Sequence, residues 1–150
     1  IPRHVHRANK IFEQLEALNL KVVYHSSKNK NLNGVDIYIV DTFGESKKFY
    51  KIATTVFLGG SLINHGGQNP IETARFGAKI LHGPNIGNFK EVYKHLKNLK
   101  ISKKITTPIE FANSNVFKKN MQKVGKINYQ GKVILKKTIK ELNKSINNEL

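Results

Sequence analysis

Thr54-Thr55-Val56-Phe57-Leu58-Gly59-Gly60-Ser61-Leu62-Ile63-Asn64-His65-Gly66-Gly67-Gln68-Asn69-Pro70-Ile71-Glu72 is the stretch on which the fold turns. Its first five residues are β-branched or apolar, as in a buried strand, and they stop abruptly at a glycine pair. A second glycine pair, Gly66-Gly67, leads into Gln68 and then Asn69-Pro70-Ile71-Glu72, where a helix running to about Phe76 is expected. Strand, glycine-rich turn and helix in that order describe the ligand-binding rim of an open α/β sheet, where ligands lie outside the carboxyl ends of the strands. Glycines let backbone approach a ligand closely, and the start of the following helix offers unpaired N–H groups to an anion. Asn69 as N-cap, Pro70 at the first helical position and Glu72 three residues after the cap also satisfy an ordinary capping box. Thr107-Pro108-Ile109-Glu110 repeats that box without glycines. The capping and anion-binding readings of Asn69 to Glu72 both stand, and the two glycine pairs favour the second.

Outward from this stretch the pattern repeats. Upstream, Val5, Ala8, Ile11, Phe12, Leu15 and Leu18 recur at helical spacing over residues 4–19. Val22-Val23-Tyr24 and Ile37-Tyr38-Ile39-Val40 read as strands separated by a polar loop, and residues 45–53 as a short helix. Downstream, Lys79-Ile80-Leu81-His82 reads as another strand, and Phe89, Val92, Tyr93, Leu96 and Leu99 as a helical face. This alternation predicts an α/β fold, a mostly parallel sheet with helices on both faces. After Thr107 the chain reads as helical, with Ala112, Val116, Phe117, Met121 and Val124 on one side. From residue 130 to 150, Leu135, Ile139, Leu142 and Ile146 form a narrow stripe, with Lys132, Lys136, Lys140 and Lys144 mostly away from it. The expected organisation is one domain over 1–129 with an amphipathic helix over 130–150 packed on it.

Composition limits the function classes. The 150 residues contain no cysteine, which excludes disulfides and thiolate metal sites, and no apolar run approaches the roughly 20 residues of a membrane-spanning helix. The six histidines are scattered, so no metal site is expected. The formal net charge is +16, which draws nucleic acid, anionic lipid or a phosphorylated small molecule. Only Arg3, Arg7 and Arg75 are arginines, however, and the planar guanidinium is the better-suited group for phosphates and base edges. A basic nucleic-acid-binding module, with Tyr93 and Phe117 as stacking residues, is therefore the weaker alternative, and no nucleic acid is expected as partner. A remnant that folds but binds nothing well is a third reading. A second cluster, Asp41-Thr42-Phe43-Gly44-Glu45, again follows a strand and precedes a helix, and Ile1-Pro2-Arg3-His4 offers Arg3 for a charge-assisted contact with phosphate.

Four blocks, Pro2-Arg3-His4, Asp41 to Glu45, Gly59-Gly60-Ser61-Leu62 with Gly66 to Glu72, and Gly83-Pro84 with Asn88-Phe89, resemble in order and spacing the carboxyl-terminal half of the Kdo (3-deoxy-D-manno-octulosonic acid) transferases. Gln68 stands where many members have histidine, and Thr73 where proline or alanine is common. The resemblance implies a GT-B glycosyltransferase of two Rossmann-like domains, with this chain as most of the second and its first strands absent. It implies that CMP of the donor CMP-Kdo is held at Pro2, Arg3, Phe43, Gly44, Glu45, Asn69, Pro70, Ile71 and Glu72, with Gly66, Gly67 and Gln68 close by. Phe43 would pack on the nucleoside, Arg3 would balance donor charge and Glu72 would accept from ribose hydroxyls. The single phosphate of the donor needs no metal, and no cofactor is implied. The general base would belong to an amino-terminal domain, so no catalytic residue is expected in this chain and activity of the chain alone is not expected. The implied partners are a lipid A precursor as acceptor, that amino-terminal domain and an anionic membrane surface. The implied location is the cytoplasmic face of the bacterial inner membrane, with an anchor in the amino-terminal region.

Overall fold

A computed structural model of the chain describes residues 1–28, 31–113, 128–129, 131–133, 135–136 and 139–140. The chain divides into two compact units, Ile1–Phe49 and Tyr50–Leu150. The first begins with a 3₁₀ turn, Val5–Arg7, that runs into helix α1 (Ala8–Glu16), followed by strands β1 (Val22–Tyr24) and β2 (Ile37–Ile39) and helix α2 (Ser46–Ile52), whose last turn crosses the unit boundary. β1 and β2 are parallel, Val22 opposite Ile37 and Tyr24 opposite Ile39. Parallel neighbours need a long crossover, which here is the polar segment after Tyr24. The apolar stripe of α1 covers this pair: Ala8, Val22 and Ile39 are buried, with Ile11, Phe12 and Leu15 against them.

The second unit holds β3 (Thr55–Leu58), α3 (Ile71–Arg75), β4 (Lys79–His82), α4 (Lys90–Asn98), β5 (Ser102–Lys104) and α5 (Pro108–Ala112). Its three strands are parallel in the order β3-β4-β5. Because successive strand residues face opposite ways, Ile80 and Leu58 join Ala74, Tyr93, Leu96 and Ile101 on one face. Leu81 and Ile105 form the other, with Phe57 packed against them. Phe111 of α5 meets Phe57 edge-on on that second face, at 5.9 Å between ring centres. Helices thus cover both faces, as the alternating pattern requires.

Several boundaries differ from expectation. β5 does not announce itself in the sequence, because Ser102-Lys103-Lys104 is polar and its apolar signal lies in the flanking Ile101 and Ile105. It is an edge strand, where exposed lysines also discourage pairing with another sheet. α3 is five residues long, shorter than the Asn69 to Phe76 span. The Thr107 box forms in full: the Thr107 side chain accepts from Glu110 N–H, and the Glu110 carboxylate accepts from Thr107 N–H. Val116, Phe117, Met121 and Val124 lie outside the described residues, as do Leu142 and Ile146 of the carboxyl-terminal stripe. Leu135 and Ile139, expected to pack on protein, are 59% and 48% exposed. Among the described residues no helix is long and apolar enough to cross a membrane.

Candidate functional site

In the second unit the glycine-rich turn is built by the ends of β3 and β4. Ser61, wholly buried, donates its hydroxyl hydrogen to the Leu58 carbonyl at 2.6 Å and accepts from Gly83 N–H at 2.8 Å. Asn85 N–H returns a bond to the Ser61 carbonyl at 2.9 Å. A Cβ on Gly83 would collide with the Ser61 carbonyl oxygen, so only glycine lets the two loops meet here. Gly67 N–H bonds to the Gly60 carbonyl at 3.2 Å, closing the loop between the two glycine pairs. Gly66 and Gly67 both have positive φ, 76° and 77°, and a Cβ on Gly67 would stand 3.2 Å from the Asn85 carbonyl.

Beyond this turn, Tyr93 of α4 donates its hydroxyl hydrogen to the Gln68 carbonyl at 3.0 Å. Burial pushes the Tyr93 phenol up to about 12, so it stays a donor at any physiological pH. Asn69 Oδ1 accepts from Ile71 N–H at 3.0 Å, two residues on, while the cap position of α3 is Pro70 and not Asn69 as expected. Pro70 is buried and its carbonyl accepts from Ala74 N–H. A five-residue helix sums few peptide dipoles, so α3 carries only a small macrodipole. Thr73 is fully buried with a hydroxyl that lacks a partner among the described residues.

The first unit carries the other cluster, and its loops are joined in a similar way. Asp41, after β2, accepts from Ser26 N–H at 3.0 Å and from the Ser26 hydroxyl at 2.5 Å, tying together the loops that leave β1 and β2. Partial burial would raise the Asp41 pKa, but those two hydrogen bonds outweigh it and leave the carboxyl below its ordinary value. Gly44, with φ of 84°, turns the chain sharply next to Phe43, which is 82% exposed. Glu45 opens α2: its carbonyl accepts from Lys48 N–H, and its carboxylate pairs with Lys48 Nζ at 2.9 Å and stands 3.9 Å from His25 Nε2. His25 is held in turn by Tyr38, its Nδ1 lying 2.9 Å from the phenol oxygen. Pro2 is half-buried and Arg3 exposed, just ahead of the 3₁₀ turn.

Each expected site residue therefore sits on a loop or at a helix start after a strand, with Pro2 and Arg3 ahead of α1. Sequence reasoning missed Ser61 and Gly83 as the clamp between two strand ends, and Tyr93 as a support of the turn. Tyr93 is 2% exposed and cannot stack on a base, which removes one ground for the nucleic-acid alternative; Phe117 lies outside the described residues. Among the described residues no group of three or more His, Cys, Asp or Glu is placed to hold a metal ion.

No protein-family model matches the chain. Its sequence is 37% identical over 94 residues to the 3-deoxy-D-manno-octulosonic acid transferase of Rickettsia felis, a match covering 63% of this chain and 20% of that protein. With the transferase of Rickettsia bellii it shares 34% identity over 113 residues, 75% of this chain and 27% of the relative. The chain is a homologue of the Kdo transferases. It spans about a fifth to about a quarter of the length of these relatives. Among solved structures, the carboxyl-terminal CMP-Kdo binding domain of WaaA from Acinetobacter baumannii superposes with a TM-score of 0.70 at 24% identity, over 75% of this chain and 59% of that domain. The chain accordingly shares the fold of that domain, parallel strands flanked by helices.

Proposed function

We propose that this Kdo transferase homologue is the donor-binding part of a glycosyltransferase that moves Kdo from CMP-Kdo to a lipid A precursor. The observation that carries the reading is the glycine turn clamped between the ends of β3 and β4, running directly into Asn69-Pro70-Ile71-Glu72, in a chain homologous to these enzymes. Such a turn receives a ligand where strands end. In this reading Gly66, Gly67, Gln68, Asn69, Pro70 and Ile71 bring backbone close to the nucleotide, and Glu72 accepts from its ribose hydroxyls. Phe43, exposed beside Gly44, offers a face to the nucleoside, with Glu45 next to it; Pro2 and Arg3 serve the phosphate. These roles in the first unit rest on the resemblance and on the exposure of Phe43 and Arg3.

During transfer the bond between the sugar's anomeric carbon and the phosphate oxygen of CMP breaks, and the acceptor hydroxyl oxygen forms the new bond. The acceptor proton goes to a base outside this chain, and the electron pair leaves with CMP. Arg3 and backbone N–H groups offset that leaving charge without a metal. The acceptor, the amino-terminal portion of the enzyme, an anionic membrane surface and a location at the cytoplasmic face of the inner membrane belong to the same proposal.

Thermal melting with CMP tests the donor site in this chain. A ligand that binds only the folded state adds about 2.7 kcal/mol at a hundredfold excess over Kd, a rise of roughly 5–10 °C for a chain of this size. No rise would leave a non-binding remnant. In the complete enzyme, Arg3→Ala and Glu72→Ala should each reduce transfer sharply while the domain stays folded. Equal CMP affinity in parent and Glu72→Ala would reduce Glu72 to a helix-capping residue.

A further inference from the structure

The loops after β3 and β4 also border an open hollow of about 500 Å3, lined by Asn64, His65 and Gly66 on one side and by Asn85, Asn88 and Lys90 among others on the other, with Asn64, His65, Asn88 and Lys90 exposed at its rim. That volume lies within the range of roughly 300–1,000 Å3 usual for small-molecule sites. The walls are tied together by backbone. Asn88 N–H bonds to the Gly66 carbonyl at 3.3 Å, and the Asn88 side chain occupies the space that a Cβ on Gly66 would need. Asn85 is held through its N–H by Ser61. Gly66, Asn85 and Asn88 are thus held by main-chain contacts, while the side chains of Asn64, His65, Asn85, Asn88 and Lys90 make no hydrogen bond or ion pair among the described residues.

The chemistry of that lining is specific. It contains no carboxylate and no aromatic side chain apart from the His65 imidazole, so neither a cation nor a stacked nucleobase is well matched. Three carboxamides present paired donors and acceptors, the complement of neighbouring hydroxyl groups, and Lys90 supplies one full positive charge. An inorganic phosphate would use the lysine and the carboxamide N–H groups but leave the carboxamide oxygens without donors. We propose that this cavity takes the sugar-acid portion of the donor, a polyhydroxylated carboxylate, with Lys90 meeting the carboxylate and Asn64, Asn85 and Asn88 the hydroxyls. The assignment rests on the donor-binding reading above and extends it to residues carrying no role there.

The test is an NMR titration of the isotopically labelled 150-residue chain with four probes: free Kdo, a neutral ketose, inorganic phosphate and CMP. Free Kdo should shift the side-chain amide signals of Asn85 and Asn88 saturably, with the neutral ketose and phosphate each at least about tenfold weaker. Lys90→Gln, at an exposed position, should weaken Kdo roughly tenfold and leave CMP affinity within about twofold. CMP binding with no response to Kdo would overturn the cavity assignment and leave the donor reading intact. Phosphate as effective as Kdo, or Lys90→Gln without effect on Kdo, would also overturn it. Kdo binding at these asparagines with CMP inert would support the cavity assignment and count against the nucleotide site. Failure of both ligands would remove both.

Discussion

Replacing Ser61 with alanine probes the clamp on which the turn depends. The Ser61 hydroxyl is fully buried between the Leu58 carbonyl at 2.6 Å and the Gly83 N–H at 2.8 Å. Alanine nearly preserves the volume and the backbone, so the change isolates the hydrogen bonds. The Gly83 N–H loses its acceptor in a place water does not reach. A buried donor left unsatisfied costs about 1–3 kcal/mol, and we expect about 2 kcal/mol, equivalent to a fall of roughly 4–8 °C in melting temperature. Urea unfolding followed by far-ultraviolet circular dichroism measures this directly, and the denaturant midpoint should fall without a change in slope. Gly83→Ala should cost more, because its Cβ collides with Ser61 backbone. Combining the two should be less than additive, since both act on one contact. A Ser61→Ala protein within about 0.5 kcal/mol of the parent would refute the clamp as a stabilising element.

Thr73→Ala removes a buried hydroxyl that has no partner among the described residues, and it should leave stability unchanged or raise it by up to about 1 kcal/mol; a clear loss in thermal melting would mean that the hydroxyl is satisfied. Burial lowers the pKa of His82, the Gly83 carbonyl 2.7 Å from Nδ1 works against that shift, and Lys104 adds to it. The unfolded chain therefore takes up a proton more readily, so this contribution is full above the ordinary imidazole value of about 6.5 and is lost as pH falls through the lower folded value. Urea unfolding between pH 8 and pH 5 should accordingly show a smaller loss of stability in His82→Gln than in the parent, and equal losses would contradict the assignment. Reversing the charges of Lys136, Lys140 and Lys144 should reduce co-sedimentation with anionic vesicles at low salt, at about 1 kcal/mol for each lysine near the surface, and unchanged binding would deny the tail a role at membranes.

The alternation of parallel strands and helices was legible because it is written in local periodicity. Val56 to Leu58, Ile80 and Leu81, and the stripe of α1 each identify themselves within a few residues of chain. The glycine pairs were legible for the same reason: a positive φ is a demand on one residue, and Gly44, Gly66 and Gly67 meet it. The bond from Ile71 N–H to the Asn69 side chain and the Thr107 box are equally local. By itself, then, the sequence determined most of the element types and the glycine turns between them. What only the tertiary structure decided depends on residues remote in the chain. Ser61 meets Gly83 across 22 positions and Tyr93 meets the Gln68 carbonyl across 25, so neither partner could be chosen before the strands were paired. β5 became a strand through its ladder to β4 despite a polar sequence, because apolar burial is supplied by its neighbours Ile101 and Ile105. The hollow beside Gly66 likewise exists only once the loops after β3 and β4 are joined, for its volume and the alignment of side chains around it are properties of packing and not of any one segment.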